Sequence, residues 1–189
     1  MRRSLFWEPW TDSGLEHLQL LVGTEGVQAD GVVLLVSESV QFRLHYQVQC
    51  DPQWRVRKVT LRLMDDNRHD ITLTADGEGQ WHDAQGTPLD ALQGCVDVDI
   101  SATPFTNTLP IRRLGLRPGE STTLDMVYVI VPDMWVQAVQ QRYTCLEVHD
   151  GGGTYKYEGL GTQFTANLPV DADGLVVDYP GIFRRLWPR

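Results

Sequence analysis

The sequence predicts a single, mainly β domain, and three observations predict it. Apolar and polar residues alternate with a period of two along much of the chain, as strands with one buried face require. Asp, Asn and Gly clusters punctuate that alternation at intervals suited to antiparallel sheet. Helix signals are few. The 189 residues are enough for one domain, 1–189, to bury a sizeable core, and no linker, repeat or low-complexity tract divides them.

The N-terminal run Met1-Arg2-Arg3-Ser4-Leu5-Phe6-Trp7 opens like a signal peptide but meets Glu8 and Pro9 before any apolar core region develops. No apolar run approaches the length of a membrane span, so a soluble, cytoplasmic protein is expected. In Gln41 to Cys50, Phe42, Leu44, Tyr46 and Val48 share one face and Arg43, His45, Gln47 and Gln49 the other. Val59, Leu61 and Leu63 alternate with Lys58, Thr60 and Arg62, and Val96, Val98 and Ile100 with Cys95, Asp97 and Asp99. Turns are expected at Asp65-Asp66-Asn67, Asp76-Gly77 and Asp171-Ala172-Asp173-Gly174. Thr87-Pro88 to Gly94 suits one short helical turn. Thr103-Pro104 is a helix start, an N-cap oxygen before a proline whose missing N–H costs nothing in a first turn. That helix would run toward Gly115, bent or split by Pro110, and its scattered Phe105, Leu109, Ile111 and Leu114 suit a helix surrounded by other structure. Met126 to Val131 is apolar on both faces and should be covered on both. Ala138 to Val148 and Thr154 to Leu160 flank Gly151-Gly152-Gly153 and form a hairpin.

A formal charge of −9 and a pI near 4.9 exclude a phosphate-tracking surface, so no nucleic-acid partner is expected. The GxSxG, Walker, GxGxxG and HExxH signatures are missing. His17, His45, His69, His82 and His149 are dispersed, and Cys50, Cys95 and Cys145 lie far apart, reading as small buried hydrophobes. Neither a metal nor a cofactor is expected.

Asp97 and Asp99 share a strand face, about 6–7 Å apart. Such carboxylates can bind hydroxyls, perturb each other's ionisation or serve acid–base chemistry on a glycosidic bond; a solvated face or arginine pairing is the plainer role. Arg112 and Arg113 end the helical segment, and Arg142 and Tyr143 lie on a partly buried strand. Arginines there either neutralise the aspartates as scaffolding or clamp an anionic head group. Trp54, Tyr157 and Tyr179 combine an apolar body with a polar tip, the combination that lines sites for amphiphiles and sugars.

Specific strings go further: His45-Tyr46, DPQWRVRKV from Asp51, GCVDVDISATPFTNTLPIRRL from Gly94, Gln141-Arg142-Tyr143-Thr144, and VDADGLVVDYPGIF from Val170. Together they resemble the bacterial family named "putative glycolipid-binding", and the likeness covers nearly the whole chain. The resemblance implies a spiral β-roll, a many-stranded, largely antiparallel sheet wrapped around one central α-helix at about 104–114. It also implies a carrier role for a lipid or glycolipid, with the amphiphile in an internal cavity. The candidate ligand-binding set is Trp54, Asp97, Asp99, Asn107, Arg112, Arg113, Arg142, Tyr143, Tyr157 and Tyr179. An enzyme acting on a sugar or lipid conjugate through Asp97 and Asp99, or a plain protein-interaction domain, remain the alternatives.

Overall fold

The computed structural model describes residues 1–64 and 70–188, so the turn expected at Asp65-Asp66-Asn67 and His69 lie outside the described residues. The first half of the chain is a run of strands: β1 (Arg2–Pro9), β2 (Ser13–Gly23), β3 (Gly26–Val36), β4 (Gln41–Cys50), β5 (Val56–Leu63), β6 (Ile71–Ala75) and β7 (Trp81–His82). Then come β8 (Asp97–Ile100), the helix α1 (Thr108–Leu114), β9 (Ser121–Ile130), β10 (Trp135–His149), β11 (Gly152–Gly159), β12 (Phe164–Asp171), β13 (Asp178–Tyr179) and β14 (Phe183–Trp187). The expected single sheet is divided in two. One sheet has nine strands in the order β13-β14-β1-β2-β3-β4-β5-β6-β7, the other five in the order β12-β11-β10-β9-β8. A bridge between Val170 and Val176 ties their edges together. Arg3 and Arg185 both reach Asp171 beside it, at 3.2 and 2.7 Å.

Among the described residues the strand pairs are antiparallel except β8 with β9, which is parallel. Parallel neighbours need a crossover, and the crossover here carries the helix. Thr103 opens the turn, its hydroxyl accepting the Phe105 N–H at 3.0 Å, but the expected helix cap is displaced: Pro104 precedes the 3-10 turn and Asn107 precedes α1. Phe105–Asn107 form a single 3-10 turn before α1 begins at Thr108. Pro110 thus falls in the first turn of α1, where its missing N–H is not needed, and the expected split lies before it. Gly115 ends α1 in the left-handed conformation (φ 56°), its N–H returning to the Ile111 carbonyl. The short turn expected in 87–94 is a 3-10 turn at Asp90–Leu92.

Two apolar clusters share the crossover. Leu5, Trp7, Leu18, Leu20, Leu44 and Leu61 of the large sheet pack with Val98, Ile100, Val127 and Val129 of the small one, and with Phe105 and Leu109. Tyr143, Cys145, Tyr155, Tyr157 and Leu168 pack with Ile111, Val176, Tyr179 and Phe183. The run from Met126 is therefore covered on both faces, and all three cysteines are buried and free. No helix among the described residues is long and apolar enough to cross a membrane.

Candidate functional site

Between the two apolar clusters lies a belt of buried polar groups, organised by the turn Thr103-Pro104-Phe105-Thr106-Asn107. Each of its three polar side chains meets a buried partner, from distant strands for Thr103 and Asn107 and from the adjoining β8 for Thr106. Thr103 donates to Glu16 Oε1 at 2.6 Å, and Tyr46 donates to the same oxygen at 2.5 Å. Gly31 makes room for that tyrosine, since a Cβ there would fall 2.2 Å from the Tyr46 ring. Thr106 donates to Asp99 Oδ1 at 2.9 Å, and Gln141 donates to Asp99 Oδ2 at 2.7 Å. Asn107 accepts from the Tyr143 hydroxyl at 2.8 Å.

Asp99, Thr103, Asn107 and Gln141 reach the edge of this belt and form part of the wall of a recess of about 340 Å³. Tyr128, Tyr157, Tyr179, Ile182 and Phe183 continue the wall, and Gly161, Thr162 and the half-exposed Phe164 form a rim open to solvent. The rings of Tyr157, Tyr179 and Phe164 lie 6.0–6.1 Å apart and tilted to one another, making one aromatic surface. The site is thus an open recess whose wall mixes polar and aromatic groups, in place of the expected enclosed cavity. Its volume is at the small end of the roughly 300–1,000 Å³ of ligand pockets, room for a head group without its chains.

Asp99 dominates the electrostatics. Burial pushes its carboxyl above the usual range, with hydrogen bonds from Gln141 and Thr106 opposing. Burial and then the Asp99 charge push up the phenols of Tyr128, Tyr143, Tyr157 and Tyr179. These hydroxyls stay protonated at neutral pH and can donate as well as accept.

The candidate residues separate into four places. Asp99, Asn107, Tyr157 and Tyr179 line the recess, with Tyr143 just beneath it. Asp97, expected on the same face, is fully buried and held by Arg113, whose Nε lies 3.1 Å from both carboxylate oxygens and whose Nη2 lies 2.5 Å from Oδ2. The solvated-face reading of the two aspartates is corrected: burial raises both carboxyls, and each has its own hydrogen-bond partners. Arg113 is scaffolding, in the last turn of α1. Arg112 stacks over Trp54 at 5.3 Å, so neither belongs to the recess. Arg142 alternates with the inward Gln141 and Tyr143 along β10, points to the other face and meets Thr123 there. The expected arginine clamp is therefore not assembled.

Sequence reasoning missed Glu16, Tyr128, Thr103, Thr106 and Phe164. Glu16 had a visible signal: it is in phase with the buried Leu18 and Leu20, a carboxylate on an apolar face. Tyr128 was hidden inside the apolar run. Among the described residues, no group of three His, Cys, Asp or Glu is placed to hold a metal ion.

Comparison with known proteins gives a consistent result. A family model described as "Putative glycolipid-binding" matches residues 4–185. A solved structure of a DUF1089 family protein from Pseudomonas aeruginosa is similar at 36% identity, covering 90% of this chain and 92% of that one, with a TM-score of 0.80. No curated protein matches.

Proposed function

Because the chain belongs to the family described as "Putative glycolipid-binding", we propose that it binds an amphiphile of glycolipid type by its head, in the recess beside Asp99. The observation that carries the proposal is the pairing of polar and aromatic groups along one wall. Asp99, Asn107, Gln141 and Thr103 offer buried acceptors and donors, which suit hydroxyl groups, and Tyr157, Tyr179 and Phe164 add aromatic rings to the same wall. Sugars present the same duality, with a polar edge and an apolar C–H face. The aglycone leaves over Phe164 and Ile182, because about 340 Å³ cannot enclose acyl chains as well. An acid–base pair of Asp97 and Asp99 draws no support from this arrangement, since Asp97 faces Arg113 and does not line the recess.

Octyl glucoside below its micelle concentration is a suitable probe. Titration calorimetry is expected to show saturable one-site binding, and Phe164→Ala is expected to weaken it about fivefold to tenfold, the value of one lost aromatic contact of roughly 1 kcal/mol. Phe164 is exposed, so the variant folds. Absence of saturable binding, or equal affinity in the variant, would count against the proposal.

A further inference from the structure

We infer that the head group this recess selects is cationic, carrying a protonated amine that seats against Asp99. The inference rests on the proposed binding function and adds the charge of its ligand. Its basis is an imbalance between two neighbouring carboxylates. Asp97 and Asp99 are both buried on one short strand, and a buried carboxylate is costly unless a cation or several donors compensate it. Asp97 has the bidentate guanidinium of Arg113. Among the described residues Asp99 has two neutral donors, the Gln141 amide and the Thr106 hydroxyl, one on each oxygen. Each of those oxygens keeps a further acceptor position.

The rest of the wall supplies no countercharge. Serine, threonine, asparagine, glutamine, tyrosine and apolar residues line it, and neither lysine, arginine nor histidine does. The arginines that could have entered are committed elsewhere: Arg113 to Asp97, Arg112 over Trp54, Arg142 outside. A phosphate or carboxylate head would approach an uncompensated carboxylate at short range in a weakly screened site. An ammonium meets attraction from Asp99, beside a wall that carries the rings of Tyr157, Tyr179 and Phe164. The cation that the described residues do not set against Asp99 is therefore supplied by the ligand.

The test is a matched series on the full chain, at a pH where the sugar amine is protonated: octyl glucoside, its 2-amino-2-deoxy counterpart, octyl glucuronide and octylamine. The amino sugar is expected to bind about tenfold or more tighter than the neutral glycoside, as a charge-assisted hydrogen bond requires, and the glucuronide more weakly than either. Asp99→Asn is expected to bring the amino and neutral sugars within about twofold of each other. The wild-type ranking decides even where that variant fails to fold. Octylamine matching the amino sugar supports the cation and places recognition in the amine alone. A neutral glycoside that binds as tightly as the amino sugar overturns the inference and leaves the proposed function standing. Failure of the whole series to bind overturns both.

Discussion

Replacing Arg113 by alanine lowers the free energy of unfolding by about 3–5 kcal/mol, the range seen when one partner of a buried ion pair is removed. The side chain of Asp97 is 1% exposed and that of Arg113 18%, so truncation leaves a carboxylate that water cannot readily reach. Burial already holds the Asp97 carboxyl above its usual range despite the guanidinium, and without Arg113 it rises further. The deficit of the variant therefore shrinks as pH falls and Asp97 takes up a proton. Removing both charges together, as in Asp97→Asn with Arg113→Met, costs much less than Arg113→Ala alone, because no orphaned charge remains. Denaturant unfolding of the two variants beside wild type checks this; equal losses in the single and double variants would contradict it. Because Arg113 lies in the last turn of α1 and Asp97 in β8, the pair fixes the crossover that presents Thr103, Thr106 and Asn107.

The second large effect concerns Glu16. Its carboxyl is pushed from the usual 4.5 to about 7 by burial, against the hydrogen bonds from Thr103 and Tyr46, and its Oε2 has no partner among the described residues. A carboxyl whose folded pKa exceeds its unfolded one binds the proton more tightly in the native state. Its contribution is greatest below 4.5 and is lost as pH rises through about 7. Between about pH 5 and about pH 8 that loss is about 2–3 kcal/mol. Glu16→Gln keeps an acceptor for Tyr46 and Thr103 but cannot ionise, so its stability relative to wild type should climb by that amount across the window. Guanidinium unfolding at both pH values measures the difference. Parallel profiles for the two proteins would contradict the assignment.

Sequence periodicity reveals which residues share a face but not which strand lies opposite. Asp97 and Asp99 were legible as a same-face pair, and so were the crossover helix, the hairpin of β10 and β11 and the buried run of β9 that starts at Met126. Their partners were not, because Gln141 lies 42 positions from Asp99 and Thr103 lies 87 from Glu16. Register across a curved sheet sets such meetings, and local pattern does not encode it. The strands β1, β2 and β3 were poorly legible for a different reason. Leu21, Leu34 and Val36 are exposed apolar residues out of phase with the buried set, and they blur the alternation that marks a strand. Arginine placement failed similarly: neighbours in sequence, Arg112 and Arg113 diverge around a helix, and Arg142 falls on the opposite face from Tyr143.

The most direct test of the binding account is a map of where an amphiphile touches the protein. In a two-dimensional NMR titration with octyl glucoside, the account predicts saturable shifts concentrated at Asp99, Asn107, Tyr128, Gln141, Tyr157 and Gly161, around the recess. Shifts centred instead on the exposed leucines of β2 and β3, with the recess unmoved, would contradict it.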